Sequence, residues 1–454
     1  MDESLREERL LTRATFGPRP GEIARIRSEG AAAWLREQLD ADGAPDPELA
    51  RRLRDFPSLG LGPADAFAGI DFPPRMSAGE DRSERDTGRF EALRRRAREI
   101  TGEVVGARVV RAVHGSWGLR EAMVDFWSNH FSVFARKHLL GGLLPHYQRE
   151  VLDRHALGRF EDLLRAVARS PAMLVYLDNW SSTAPQRRGR RGGGRRGGIN
   201  ENYARELLEL HTLGVDGGYT QADVREVARV FTGWTLESRR EPLFRFRESL
   251  HDPGDKRVLG ERVRGSGAGE GERLLRRLAR HPATARHLAH KLVARFVDDH
   301  PPSGLVTRAA ERFLDTGGEI REVLVLILMS PEFADPAHRK LKTPLRFATS
   351  ALRATGGATD GDPRLLRALG RLGEVPFFAR TPAGFPEETA RWVDPGAMLE
   401  RMGLAFALAR GEFRGTRLGS SLPETAAAQR GRLRGATSDE EVALAVAAPE
   451  FQWA

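Results

Sequence analysis

Apolar and charged residues alternate at helical spacing along most of the chain, which predicts a mainly helical protein. The predicted helices cover about 3–14, 20–40, 90–113, 118–133, 146–155, 159–169, 201–213, 221–232, 271–279, 283–297, 303–315, 318–329, 342–354 and 395–409. Thr220, with Asp223 three residues later, predicts a capping box at the start of one of them. Pro282 lies where the first turn of a helix tolerates proline. Gly214 and Gly233 lie where helices are expected to end.

One segment breaks the helical period. Residues 243–247, Leu-Phe-Arg-Phe-Arg, alternate as in a half-buried strand. Residues 251–255, His-Asp-Pro-Gly-Asp, have turn chemistry, and 257–259 provide a returning strand. We therefore predict a small β-hairpin at 242–262.

Two stretches are predicted to be loops. Residues 56–88 are rich in proline, glycine and aspartate, and residues 181–199 are predicted to be a disordered loop. The second stretch has no acidic residue and contains six arginines: Arg187, Arg188, Arg190, Arg191, Arg195 and Arg196. Removing these six from 72 basic residues leaves 66 against 63 acidic ones, so the formal charge of +9 is largely local. The charge distribution therefore does not predict a surface for specific DNA recognition.

The composition is typical of a globular protein, with 40% hydrophobic and 30% charged residues in 454. The absence of cysteine excludes disulfides, thiolate metal sites and cysteine nucleophiles. The amino end is charged from Asp2 and has no apolar core of a signal peptide, so we expect a cytoplasmic protein. The longest apolar run, 323–329, is shorter than the roughly 20 residues of a membrane span, so we expect no membrane partner.

The predicted helix at 201–213 has a polar arc and an apolar arc. At about 100° per residue, four polar residues share one arc: Asn202, Arg205, Glu206 and Glu209. Tyr203 and His211 lie on the apolar side, so Glu206 and His211 cannot be ligands on one helix face. The polar arc is interpreted either as the wall of a pocket or as a solvated face with i,i+3 and i,i+4 pairs.

The predicted helix at 118–133 shows the same division. Its polar arc contains Glu121, Asp125, Ser128 and Asn129. His130 lies in the middle of the apolar side, where it is either a core residue with one hydrogen-bond partner or part of an inward-facing site. His211 is a second candidate for such a position. Because no HExxH motif or repeated ExxH motif is present, we assign no metal ligand, and the cofactor stays unidentified.

The predicted turn at 251–256 is a third candidate site. His251, Asp252 and Lys256 provide an imidazole, a carboxylate and an amine, which suits acid–base chemistry or phosphate binding. The alternative is an Asx-turn at Asp252 with a solvated lysine. His287, His290 and Lys291 share the polar side of their helix, which is interpreted either as a pair of i,i+3 histidines that bind zinc or as a solvated basic face.

One long segment is specific enough to indicate a family. Residues 200–235 read NENYARELLELHTLGVDGGYTQADVREVARVFTGWT. This segment resembles the signature of the bacterial family known as domain of unknown function 1800. Six further segments extend the resemblance: LLTRATFGPRP (10–20), FWSNHFSV (126–133), ALGRFEDLLRAVARSPAMLVYLDN (156–179), HDPGDKRVLG (251–260), HPATARHLAHKL (281–292) and TPAGFPEETARWV (381–393). The resemblance therefore implies one long, all-α domain over 1–454 with a small inserted β-hairpin.

The resemblance implies little about activity. Members of the family look like large, mostly helical bacterial proteins without an assigned reaction, and many carry export signals. Their genes often lie beside one for a protein that resembles sulfatases and alkaline phosphatases. This sequence has Ser128 where many relatives have histidine, and Ala383 and Phe385 where relatives tend to have aspartate and tyrosine.

Three functional hypotheses follow. The first is an enzyme whose pocket gathers eight residues: Asn129, His130, Asn202, Tyr203, Arg205, Glu206, His251 and Asp252. In it, His130 or His251 is the general acid or base, Arg205 orients an anionic or carbonyl substrate, and Glu206 or Asp252 orients the histidine. The second is a non-enzymatic partner of a sulfatase-like or phosphatase-like protein. The third is binding of an anionic polymer through Arg187–Arg196.

Overall fold

The mainly helical prediction is confirmed by the computed structural model, which describes residues 3–40, 46–70, 84–184, 198–238, 240–423 and 438–454. These residues form helices α1 to α19 in chain order: Glu3–Arg13, Glu22–Glu29, Ala31–Asp40, Pro47–Leu53, Glu84–His114, Gly118–His130, Leu144–His146, Phe160–Arg169, Pro171–Tyr176, Glu201–Glu209, Gln221–Val230, Ala268–Ala279, Pro282–Phe296, Ser303–Asp315, Ile320–Leu328, Pro344–Thr355, Pro363–Arg371, Pro395–Ala409 and Ser438–Ala447. They also form strands β1 to β4: Trp234–Leu236, Phe244–Phe246, Lys256–Val258 and Glu261–Val263. The arginine-rich stretch falls almost entirely outside the described residues.

Local signals explain where several helices begin and end. The capping box at α11 is confirmed, because the Asp223 N–H donates to Thr220 Oγ1 at 3.2 Å and the Thr220 N–H donates to Asp223 Oδ2 at 2.8 Å. The helix predicted at 20–40 is two helices, since Gly30 has a φ of +84° between them. The helix predicted at 201–213 ends at Glu209, which leaves His211 in the following turn.

The predicted hairpin at 242–262 is wrong in its pairing. Strand β2 pairs with β1, not with β3, and its Phe244 ring packs edge-on against Trp234 at 5.1 Å between centroids. Strand β3 pairs instead with β4 across a tight turn, in which Leu259 and Gly260 have φ values of +51° and +77°. The chain therefore has two small antiparallel hairpins in this region.

The loop predicted at 56–88 extends too far, because α5 begins at Glu84. Residues 71–83 lie outside the described residues.

Two clusters of buried apolar side chains form the core, and α5 contributes to both. The larger cluster surrounds Trp127 on α6, and the smaller one surrounds Phe347 on α16. Val104 belongs to the first cluster and Val109 to the second. No helix among the described residues is long and apolar enough to cross a membrane.

A close backbone contact joins α5 to the turn before α17. Gly361 has a φ of +76°, and a Cβ added to it would lie 2.8 Å from Gly106 Cα. We expect Gly361→Ala to lower the free energy of unfolding by about 2 kcal/mol, because alanine meets both the strained φ and the contact. Gly102→Ala is the control on the same helix, where a Cβ would meet no atom within 4 Å. Gly102→Ala should raise the free energy of unfolding, by less than about 1 kcal/mol. Equal stabilities of the two variants in urea titration would contradict this packing.

Candidate functional site

The polar side of α6 faces a buried network of ion pairs. Asp125 accepts hydrogen bonds from Arg108 on α5 at 2.9 Å and from Arg295 on α13 at 2.7 Å. Arg295 also donates to Glu387, at 3.0 and 3.2 Å to the two carboxylate oxygens. Both arginine side chains are almost fully buried, so these contacts are weakly screened by water. The network fixes one wall of a narrow pocket.

Glu374 adds to this pocket a carboxyl group whose pKa is raised. Burial raises the pKa of Glu374 to about 7, and the negative charge of Asp125 adds to the shift. Its Oε2 accepts the Leu345 N–H at 2.8 Å. Burial acts to raise the pKa of Glu387 too, but the cations Arg295 and Lys340 outweigh it, and that pKa is lowered. The pocket thus combines a carboxylate that stays ionised with a carboxyl group that gains or loses a proton near neutral pH.

Asn129 closes the pocket by a reciprocal pair of hydrogen bonds. Its Nδ2 donates to the Phe385 carbonyl at 2.9 Å, and its Oδ1 accepts the Phe385 N–H at 2.7 Å. The amide side chain of Asn129 therefore connects α6 to the loop that contains Glu387. The space between these groups has room for little more than a water molecule.

A single segment separates this pocket from a much larger cleft. Along 374–380, Glu374 and Phe377 line the pocket, whereas Phe378 and Arg380 line the cleft. Phe385 lines both. Phe377 has a φ of +65°, a conformation that costs a non-glycine residue about 1–3 kcal/mol and that occurs often at functional sites.

The cleft is basic and aromatic. Its volume is about 1840 Å³, above the usual range of small-molecule sites. Two carboxylate residues, Asp86 and Glu237, line it together with six arginines. These are Arg94, Arg98, Arg136, Arg247, Arg367 and Arg380. Such a lining favours an anionic ligand.

The eight residues predicted from the sequence lie on three separate parts of the fold, α6, α10 and the turn at 251–256, and even residues of one helix face different surroundings. Asn129 lines the narrow pocket, but His130 points into the core, where its Nε2 contacts the His211 carbonyl at 3.2 Å. Burial lowers the pKa of His130 well below its usual value, and the nearby Lys291 and His287 add to the shift. The Nδ1 of His130 and the Nε2 of His211 have no hydrogen-bond partner among the described residues. His130 is therefore a neutral core residue in this structure.

The second environment is the half-exposed side of α10. Asn202 is exposed, Arg205 donates to Gln221 Oε1 at 3.0 Å, and burial together with Glu209 raises the pKa of Glu206. Tyr203 lies on the opposite, buried side of the helix, as the wheel predicts, with its ring 5.3 Å from that of Phe231. This surface carries charge, and none of its residues lines the narrow pocket or the cleft.

The third environment is a cluster around the predicted turn, in which His251, Lys256 and Glu270 are buried and Asp252 is half-buried. His251 Nε2 contacts Glu270 Oε1 at 2.9 Å, and Lys256 Nζ donates to Glu270 Oε2 at 2.7 Å. Asp252 forms a two-point ion pair with Arg229, at 2.8 and 3.1 Å, and also accepts the Gly254 N–H of an Asx-turn. The Asx-turn interpretation is confirmed, but the solvated lysine is wrong, because Lys256 is buried against Glu270. Among the described contacts, this cluster does not meet His130 or Glu206.

The prediction of a solvated basic face on α13 is also wrong in part. His287 and Lys291 are half-buried and turn toward the core, and the His287 ring lies 6.1 Å from that of His130. Burial lowers the pKa of His287 to about 4 and that of Lys291 to about 8. His290 remains exposed, as expected. Within the described part of the chain, no three His, Asp or Glu residues are arranged to hold a metal ion.

A family model described as a protein of unknown function (DUF1800) matches residues 9–453. The chain belongs to this family. No significant match is found among curated proteins or solved structures.

Two of the segments that carry the DUF1800 resemblance meet at the narrow pocket. Ser128 and Asn129 come from 126–133, and Phe385 and Glu387 come from 381–393. The sequence departures at 128 and 385 therefore both fall on the pocket lining. Sequence reasoning missed Arg295, Glu374 and Glu387. For Glu387 the family segment was a usable signal, whereas nothing local distinguishes Glu374 from other glutamates.

The raised pKa of Glu374 has a consequence for stability. The folded state holds the proton up to about pH 7, whereas the unfolded chain releases it near the ordinary glutamate pKa of 4.5. The contribution of Glu374 to stability is therefore present below pH 4.5 and falls between pH 4.5 and 7, by about 3 kcal/mol in total. Glu374→Gln should lose less stability than the wild type between pH 5 and pH 8, measured by urea unfolding. Identical pH dependence of the two proteins would contradict the assignment.

Proposed function

We propose that the protein is an enzyme that hydrolyses an anionic ester, with Glu374 as the general base. The observation that carries this proposal is the buried carboxyl group with a pKa of about 7 in a pocket with room for one water molecule. A base with this pKa is half deprotonated at neutral pH, which suits the activation of water. The ion pairs of Asp125 and Glu387 would hold Arg295 in place at its side.

The cleft supports an anionic substrate. Arg380 is exposed on the same segment as Glu374 and lines the cleft, so we assign it to orient the substrate anion. The aromatic rings of the cleft offer an apolar surface to the rest of the substrate. In this proposal Asn129 keeps its predicted place in the site as a positioning residue, because it binds the Phe385 loop. Catalytic roles for the other seven residues of the first hypothesis stay predictions.

The test is turnover of a panel of aryl phosphate, sulfate and carboxylate esters that carry an anionic group. We expect turnover of at least one ester, with kcat/KM rising through about pH 7, and a loss of at least about 100-fold in Glu374→Gln. Arg380→Gln should raise KM by about tenfold with a smaller effect on kcat. Arg286→Gln, an exposed arginine outside the pocket and the cleft, is the matched control. No turnover of any ester, or equal rates in the wild type and Glu374→Gln, would contradict the proposal.

A second candidate function is binding of an anionic polymer at the rim of the cleft. The arginine-rich stretch itself lies outside the described residues, but the described residues on either side of it make backbone hydrogen bonds. The Thr183 N–H donates to the Gly198 carbonyl at 3.1 Å, and the Ala184 N–H donates to the carbonyl of Leu250, which lines the cleft, at 2.8 Å. The described residues next to this stretch thus contact the cleft lining, which itself contains six arginines. This proximity supports the proposal.

Deletion of 187–196 tests the polymer proposal. Long-chain polyphosphate should bind the wild type with an affinity that falls steeply with salt, because each phosphate contact releases a counterion. The deletion should weaken binding and reduce the salt dependence, as followed by fluorescence anisotropy of labelled polyphosphate. Unchanged affinity and salt dependence in the deletion variant would exclude this stretch as the binding element.

A sulfatase-like or phosphatase-like partner and a cytoplasmic location stay predictions.

A further inference from the structure

A second pocket lies between α1, the segment that leads into α16 and the residues after α19. Its volume is about 310 Å³, the size of a small-molecule site. Six charged residues line it: Glu8, Arg9, Arg13, Arg339, Lys342 and Glu450. It shares no lining residue with the narrow pocket or the cleft. The pocket is therefore a separate candidate site.

Among the described residues, no Asp or Glu side chain lies within 4 Å of the buried cations of this pocket. Arg13 donates to the backbone carbonyls of Val297 at 2.8 Å and His338 at 2.6 Å, and its Nε donates at 3.0 Å to the oxygen of Ala454, the last residue of the sequence. Lys342 Nζ donates to the Phe451 carbonyl at 2.7 Å. Both side chains are almost completely buried. Carbonyl oxygens satisfy the N–H groups, but they leave the positive charges unbalanced.

Two further cations lie behind the pocket wall. Arg346 donates to the carbonyls of Thr12 and Thr15, at 3.1 and 2.8 Å. Arg401 is fully buried and donates from Nη1 to Gln452 Oε1 at 3.1 Å, whereas its Nε and Nη2 have no partner among the described residues. Guanidinium groups do not lose their proton inside proteins, so both remain charged. They increase the positive potential at Lys342.

The carboxylates at the pocket do not offset this charge. Glu8 is half-exposed and Glu450 is exposed, so water screens both. Four lining cations face these two carboxylates and the oxygen of Ala454, and the two cations behind the wall are also influenced by Glu374 on the side of the narrow pocket. Leaving buried charges uncompensated is costly, and a bound anion would remove that cost.

We propose that this pocket binds a small molecule that carries a phosphate-type oxyanion and an apolar group. The anion lies on Lys342 and Arg13, and the apolar group packs against the aromatic rings of the wall. Those rings already contact cations: Phe451 lies 3.7 Å from Lys342 Nζ, and Trp453 lies 4.5 Å from the Arg339 guanidinium. The proposal is independent of the hydrolase assignment.

Lys342 gives binding a proton signature. Burial lowers the pKa of Lys342 to about 7, Arg346 and Arg401 lower it further, and Glu8 opposes them. The amine is therefore largely neutral at pH 8. An anion on its Nζ favours the charged form and raises the pKa, so binding at pH 8 takes up a proton. At pH 6 the amine is already largely charged, so the contribution of Lys342 to the uptake should be small.

Calorimetric titration of the full chain tests the proposal with three probes: phenyl phosphate, inorganic phosphate and phenol. Titration at pH 8 in two buffers of different ionisation enthalpy reports the proton uptake. Lys342→Met removes the central cation, and Arg339→Gln changes an exposed lining residue without touching the core. Arg286→Gln is the matched control for the loss of one exposed arginine. Thermal unfolding of each variant checks that it is folded.

We expect phenyl phosphate to bind the wild type and Arg286→Gln equally, and to bind Lys342→Met and Arg339→Gln at least about tenfold more weakly. Proton uptake should be absent in Lys342→Met, and phenol should not bind. Inorganic phosphate that binds as tightly as phenyl phosphate would assign the pocket to the free anion. No binding of either phosphate at millimolar concentration, or equal affinity in all four proteins, overturns the proposal. If Lys342→Met does not fold, Arg339→Gln alone decides.

Discussion

Buried arginines bound by backbone carbonyls hold the first helix of this protein against its distant segments. Arg6 on α1 donates to the Ser330 carbonyl at 3.1 Å, Arg9 to that of Phe333 at 2.7 Å and Arg13 to that of Val297 at 2.8 Å. Arg346 on α16 also contacts the segment after α1, because it donates to the Thr15 carbonyl at 2.8 Å. A planar guanidinium with five N–H groups suits this task, because it satisfies several carbonyls from one position. The arrangement leaves positive charge inside the protein, and the anion pocket follows from it.

In the narrow pocket the charge of a buried arginine is balanced by side chains of the protein. There Arg295 lies between two carboxylates, Asp125 and Glu387, so its charge is balanced within the protein. The carboxyl group that remains, Glu374, accepts a backbone N–H and has no arginine at ion-pair distance among the described residues. Burial and the negative charge of Asp125 therefore raise its pKa, and the Leu345 N–H and the more distant Arg295 only partly oppose them. Charge balance thus separates the carboxylates that hold the pocket from the one that exchanges a proton.

The sequence predicted the helical class and most helices, because a 3.6-residue period is a local property. It missed α4, α9 and α17, although each begins with proline after an aspartate or serine cap, a signal that short helices share with turns. It placed Asp125 and Asn129 on the polar arc of α6 correctly. It could not find their partners, since positions 295, 374 and 387 reach the pocket only through tertiary packing. A helical wheel also cannot distinguish a half-buried cation from a solvated one, as at Lys291 on α13.

The account depends most on the protonation of Glu374. Infrared difference spectra between pH 5 and pH 8, with Glu374→Gln as the reference, measure it directly through the carbonyl stretch of the protonated acid. The structure predicts a buried carboxylic acid band that titrates near pH 7 and is absent from the variant. A spectrum in which no carboxylic acid band is lost in Glu374→Gln, or in which that band titrates near pH 4.5, would contradict the account.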